Sequence, residues 1–324
     1  MTFYFAPLEG LTGSVYRHAH AAVIGGADQY FTPFYSPGSI GLSKRQMAEL
    51  AEEDRSVIVP QLLVRRIPDF LAAAAQLHSL GYPVVNLNFG CPSGTVTAKH
   101  KGAGFLQQPD EMRTFLEAAF SGLSRVAPGM RLTVKTRIGY GSEEEFAAIL
   151  AVYNEYPIAE LIIHPRLRQD LYRGEPRHAA YAYAEQHAKM PLCYNGDIFS
   201  AEKYRTVLEK HPAVTRVMLG RGAVADPFLF HTLRGVSIPD RRDRLRRMHD
   251  LILEENRRRM GDGKNLLCRM ADLWNYQCFL FKESEAVCRR IRRARDLAEY
   301  TAAVALTFRE GRLLPGGAYH PPMV

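Results

Sequence analysis

Short runs of aromatic and β-branched apolar residues recur along the first two thirds of the chain, at 3–6, 29–34, 57–63, 84–89, 132–137, 161–164, 192–195 and 216–219. Each has the length and composition of a buried strand. Between them lie longer segments such as 68–80, 110–126, 142–156 and 201–210, whose apolar residues return every three or four positions, as on one face of a helix. Eight strand-then-helix units in about 230 residues predict a closed parallel (β/α)₈ TIM barrel rather than an open doubly wound sheet. After Phe230 the strand pattern stops, and 240–260, 266–281 and 284–307 carry helical spacing alone, with Pro239 as the boundary. The predicted organisation is therefore a barrel over 1–235, a small all-α helical domain over 240–310, and a tail over 311–324 that is either a loose end or a strap.

In a barrel of this kind chemistry sits on the loops at the C-terminal ends of the strands. The apolar runs give way there to polar and glycine-rich residues: Pro7-Leu8-Glu9-Gly10, Gln61, Asn88-Phe89-Gly90-Cys91-Pro92, Lys135-Thr136-Arg137, His164-Pro165-Arg166, Asn195-Gly196-Asp197 and Gly220-Arg221-Gly222. All of these ends would meet on one face.

Composition sharpens this picture. The chain has 324 residues, 47% of them hydrophobic, enough for a full barrel core with material left over. Its formal net charge of +8 is unevenly placed. Residues 1–233 hold 23 Lys/Arg against 22 Asp/Glu, whereas residues 234–324 hold 19 against 12. A neutral catalytic body joined to a basic helical annex suits a nucleic-acid partner, although an Arg-rich solvated helix pair would show the same bias. The five cysteines form no C-x-x-C pair, so neither a zinc site nor a disulfide framework is signalled, and a reducing cytoplasm is expected. No metal is expected. Pro7 and Glu9 interrupt the first apolar run before a signal sequence could form, and no run approaches the roughly 18 residues that span a bilayer. A soluble monomer without membrane contact is the expectation.

The glycine turns at Asn195-Gly196-Asp197 and Gly220-Arg221-Gly222 follow the last two strands, where barrels commonly bind phosphate: glycine lets backbone N–H groups approach and Arg221 adds a charge. Lys135 and His164 would point into the mouth, where a cation suits a flavin that gains negative charge on reduction. The Gln61 amide could meet the flavin edge. Cys91 sits between Gly90 and Pro92 on a strand-end turn rather than in a packing position. Cys193, inside a strand, and the helical Cys268, Cys278 and Cys288 read as packing.

Taken in order, Ala6-Pro7-Leu8-Glu9-Gly10-Leu11-Thr12, Gln61-Leu62, Asn88-Phe89-Gly90-Cys91-Pro92-Ser93, Gly102-Ala103-Gly104, Val134-Lys135-Thr136-Arg137, His164-Pro165-Arg166 with Tyr172, Asn195-Gly196-Asp197 and Gly220-Arg221-Gly222 resemble the tRNA-dihydrouridine synthases. The resemblance spans residues 6 to 222, while the C-terminal part is similar only in kind. Leu8 stands where methionine is common in the family, Thr12 is not followed by the usual aspartate, and Lys99-His100-Lys101 is basic where the family often has a glycine cluster. The resemblance implies an FMN cofactor reduced by NADPH, and hydride transfer to C6 of a uracil in tRNA. It implies Pro7, Leu8, Glu9, Gln61, Lys135, His164, Asn195, Gly196, Asp197, Gly220 and Arg221 as cofactor-binding residues and Cys91 as the proton donor to C5. Asn88, Arg166 and Tyr172 would contact the base or its phosphate. Two other readings stay open on residues alone: another FMN-dependent barrel acting on a small molecule, like dihydroorotate dehydrogenase or an ene-reductase, and a barrel that binds RNA without turnover.

Overall fold

The computed structural model describes residues 1–316 and Tyr319. Nine parallel strand segments run β1 (Thr2–Phe5), β2 (Gln29–Phe31), β3 (Ile58–Val59), β4 (Gln61–Leu62), β5 (Val84–Phe89), β6 (Arg131–Gly139), β7 (Glu160–Leu167), β8 (Leu192–Tyr194) and β9 (Arg216–Leu219). Their order in the sheet is β3-β2-β1-β9-β8-β7-β6-β5-β4. Both ends of that order belong to one stave: β3 pairs with β2, β4 with β5, and only Pro60 separates them. Proline has no N–H to give a ladder, so the stave is interrupted there, yet the Pro60 carbonyl still accepts from the Asn86 N–H at 2.9 Å. The result is an eight-stave barrel with one stave in two halves, and each expected run falls on a stave.

Side-chain alternation decides what faces inward. Tyr4, Ala6, Phe31, Val59, Val84, Ile162, Cys193 and Met218 form a closed apolar cluster inside the barrel, while their neighbours Phe3, Phe5, Tyr30, Ile58 and Val217 join the larger core under the surrounding helices. Following the inward parity two residues at a time leads from Val84 to Asn86 and Asn88, from Ile162 to His164 and Arg166, from Cys193 to Asn195 and from Met218 to Gly220. The polar mouth is therefore the continuation of the apolar interior, on the same face of each stave.

Helices Ile67–Ser79, Pro109–Val126, Glu145–Tyr153 and Ala201–Lys210 cover the barrel where the periodicity places them. The C-terminal part consists of Arg241–Met260, Lys264–Gln277 with a 3₁₀ turn to Leu280, Ser284–Arg292 and Leu297–Glu310. Two expectations are corrected here. The single helix expected over 284–307 breaks into two, because the Asp296 side chain accepts the Glu299 N–H and caps a new start. The helix expected over 266–281 loses its last turn to the 3₁₀ segment. The first C-terminal helix packs along Ser14–Val23 and the second against Arg221–Ala225, so the helical part rests on the barrel beside its mouth. Part of the tail is strapped down: Leu313 bridges to Phe281 and the Leu314 N–H donates to Leu280 O at 2.8 Å. His320–Val324 lie outside the described residues.

Candidate active site at the barrel mouth

The Cys91 turn is built by Asn88. Its Oδ1 accepts the N–H groups of both Gly90 (3.0 Å) and Cys91 (2.8 Å), a side-chain mimic of a backbone turn. The Asn88 amide donates to Gln61 Oε1 at 2.7 Å, Gln61 Nε2 to Asn86 Oδ1 at 2.7 Å, and Asn86 Nδ2 to Thr133 Oγ1 at 2.8 Å. This amide chain crosses three staves and orients the turn from below. From the other side, the Ala103 N–H donates to Cys91 O at 3.0 Å. Gly102 has φ +55°, and a Cβ there would lie 2.8 Å from Cys91 O and 3.0 Å from Cys91 Cβ, which is why the Gly102-Ala103-Gly104 turn begins on glycine.

Cys91 is half-buried. Burial pushes its thiol up from the usual value, against the backbone of Ser93 and the charges of Arg137 and Lys135, with Glu9 acting in the same sense as burial. The sulfur therefore keeps its proton at neutral pH, which is the state a proton donor needs.

The Lys135 ammonium has neither a hydrogen bond nor an ion pair among the described residues. Burial, and secondly Arg137, lower it to about 8. A buried ammonium without a counter-charge is costly and calls for an anionic or electron-rich ligand. His164 is held neutral by burial and by the surrounding cations Arg137, Lys135, Arg166 and Arg221. Its Nε2 lies 3.0 Å from Arg166 Nη1, which can only donate, so the ring proton is assigned to Nδ1.

Pro7, Leu8, Lys135, His164, Tyr172, Asn195, Gly196, Asp197, Gly220 and Arg221 line one recess of about 60 Å³ at the ends of the strands. Leu8, Tyr172 and Arg221 also line a neighbouring cleft of about 1290 Å³ between the barrel and the C-terminal helices, as does Glu9. The N–H groups of Gly196, Asp197 and Arg221 have no acceptor among the described residues. Such donors, with Lys135 and Arg221, fit a phosphate-bearing, electron-accepting cofactor; the recess alone has room for only part of one. The Asp197 carboxylate now bridges the arginines, accepting from Arg221 Nη2 at 2.6 Å and from both terminal nitrogens of Arg166.

Three expected residues are engaged in contacts within the protein. Gln61 and Arg166 are fully buried. Gln61 belongs to the amide chain and does not line the recess. Arg166 is engaged by Asp197, His164 and the carbonyls of Arg173 and Gly174. Asn88 holds the Cys91 turn. Tyr172, by contrast, is exposed, with the Arg221 guanidinium 4.5 Å from its ring centre.

Sequence reasoning missed Arg137, Tyr276 and the arginines of the outer cleft. Arg137 was legible by parity, two residues beyond Lys135 on one face of β6. Tyr276, Arg289, Arg292 and Arg293 reach the cleft only because of how the helices pack. Many other C-terminal arginines are engaged within the protein: Arg244 with Val23 O (2.9 Å), Arg259 with Ser14 (3.1 Å), Arg241 with Asp226 (3.1 Å), and Arg269 with Gly10 O.

A parallel barrel whose C-terminal mouth gathers an uncompensated lysine and a buried histidine in one recess, with a strand-end thiol within electrostatic reach of that lysine, is the working end of a (β/α)₈-barrel oxidoreductase. The chain belongs to the dihydrouridine synthase family, whose profile matches residues 4–277. It is 26% identical over 236 residues to the tRNA-dihydrouridine synthase B of Pasteurella multocida, covering 72% of this chain and 69% of that one. To the enzyme of the same name from Shewanella oneidensis it is 31% identical over 169 residues, 52% of this chain and 51% of that one. Among solved structures, morphinone reductase superimposes with a TM-score of 0.52 at 13% identity, covering 73% of this chain and 86% of that one, a likeness of fold.

Proposed function

We propose that the protein reduces the C5–C6 double bond of a uridine in tRNA, with Cys91 as proton donor. The reading is carried by the half-buried Cys91 thiol, held on a strand-end turn by Asn88 within electrostatic reach of the uncompensated Lys135. FMN, re-reduced by NADPH, would be held by the turns at Asn195–Asp197 and Gly220–Arg221 with Lys135, and would supply hydride to C6 of the uracil. Cys91 then gives its proton to C5, and solvent restores the thiol. Lys135 offsets the negative charge that arises in the site, and His164 offers its Nδ1–H to a ligand. Exposed Tyr172 provides an aromatic face for a base extruded from the folded RNA.

Residues 1–235 would hold the cofactor and residues 240–310 would face the RNA, chiefly through Arg289, Arg292 and Arg293 on the outer cleft. A barrel that acts only on small molecules has no need of such a cleft.

The test is direct. Protein loaded with FMN is given NADPH and tRNA lacking dihydrouridine, and the digested RNA is read by mass spectrometry. A uridine gaining two hydrogens supports the proposal. Reduction of free uracil or small enones with no change in the tRNA would replace it with the small-molecule reading.

A further inference from the structure

Arg137 belongs to no step above, yet every donor nitrogen of its side chain is tied to its surroundings. It sits on β6 at the point where the pairing with β7 changes register, between Arg137 and Gly139, and it is 1% exposed. Its three donor nitrogens diverge to three main-chain carbonyls: Nε to Gly90 O at 3.0 Å, Nη1 to Leu167 O at 2.7 Å and Nη2 to Leu171 O at 2.7 Å. Gly90 immediately precedes the thiol-bearing Cys91, and Leu171 immediately precedes Tyr172. The guanidinium centre also lies 5.6 Å from the centre of the Tyr172 ring. Leu171 is held at φ +53°, a conformation that branched-chain residues seldom adopt without outside support.

No carboxylate reaches this cation within salt-bridge distance among the described residues, and burial lowers its pKa to about 10. A buried guanidinium that binds only carbonyls is a poor device for stability. As a spacer it is well suited, because its planar fork sets the directions of all three bonds at once. A lysine at 137 would bring one flexible ammonium and could not hold both loops.

We propose that Arg137 is a positioning residue that fixes the Cys91 turn and the Tyr172 loop relative to one another. The proton donor and the aromatic face thereby stand at a set separation before any ligand arrives. The assignment of those two groups to uridine reduction rests on the function proposed above; the clamp itself does not.

Two variants of the full chain, Arg137→Lys and Arg137→Gln, are compared with wild type on two readouts. The first needs no assumption about the reaction: alkylation of Cys91 by iodoacetamide, followed peptide by peptide across pH. Because the Arg137 charge lowers the Cys91 pKa, Arg137→Gln should shift the alkylation midpoint upward, and both variants should alkylate faster at high pH as the turn loosens. The second is steady-state dihydrouridine formation. Misplacing a reacting group by about 1 Å costs on the order of 10²-fold in rate, so Arg137→Lys should lose about that factor in kcat while KM for tRNA and retained flavin stay near wild type. Wild-type kcat in Arg137→Lys overturns the proposal, as does a parallel fall of kcat, flavin retention and melting temperature. If wild type itself forms no dihydrouridine, the function reading fails and alkylation alone decides the clamp: an unchanged Cys91 profile in both variants removes it.

Discussion

At the scale of single residues the site is governed by what burial does to charge. The Cys91 thiol is raised by burial, so it is a full proton reservoir at neutral pH and loses that capacity as pH rises through its pKa. Cys91→Ala should therefore abolish dihydrouridine formation while RNA binding, followed by fluorescence anisotropy, is retained; near-normal turnover would remove the thiol from the mechanism. The wild-type rate should fall on the alkaline side. Lys135 moves the other way, from 10.5 to about 8, since its charged form is the one that burial penalises. On the function proposed above, an electron-rich flavin at Lys135 would favour the charged form, so its binding would be coupled to proton uptake. The sign follows: below about pH 8 the ammonium is already present and affinity is full, and above it affinity declines as the proton must be recovered. Flavin fluorescence titrations from pH 7 to 9.5 should show this decline in wild type and a flat profile in Lys135→Met. Equal slopes in the two would assign the effect to another group.

At the scale of elements, β5, β6, β7 and β8 bring Asn88, Lys135, His164 and Asn195 to the mouth by parity. The expected runs lie on the eight staves because a strand buried on both faces announces itself by continuous apolar character. Cys91 was legible for the opposite reason, as a thiol on a Gly-Cys-Pro turn where packing has no use for it. Helix ends were harder: 284–307 looked continuous because its periodicity survives the break, and only the cap at Asp296 shows that the chain restarts. Gly102 marks how closely two loops depend on each other. Its positive φ and the 2.8 Å approach to Cys91 O leave no space for a methyl group. Gly102→Ala should destabilise the fold by about 1–3 kcal/mol and depress turnover by displacing the Cys91 turn. Thermal melts with activity at a permissive temperature measure both, and a variant stable and active at wild-type levels would show that the turn yields more easily than its geometry implies.

At the scale of the whole molecule, the basic excess of the last quarter divides into two uses. Arg241, Arg244, Arg259 and Arg269 fasten the helices to the barrel, while Arg289, Arg292 and Arg293 line the open cleft. Each lost phosphate contact should reduce the slope of log affinity against log salt by about 0.7–0.9. Arg289→Ala with Arg293→Ala should thus flatten the salt dependence of tRNA binding by about 1.4–1.8. Arg257→Ala with Arg258→Ala, two residues already paired with Asp262 and Glu255, should leave it nearly unchanged. Identical slopes for both pairs would move the interface elsewhere. This sorting was invisible in the sequence, where every arginine on an Arg-rich helix looks alike. What the sequence determined alone was local in origin: strand and helix identity from apolar period, the barrel from their alternation, and the candidate thiol, lysine and glycine turns from their places at strand ends. What only the tertiary structure decided was relational. It engaged Gln61 and Arg166 in contacts within the protein, tied Arg137 to two loops, and separated cleft arginines from fastening ones, because such contacts depend on which distant main-chain carbonyl, amide or carboxylate a side chain meets after the barrel closes.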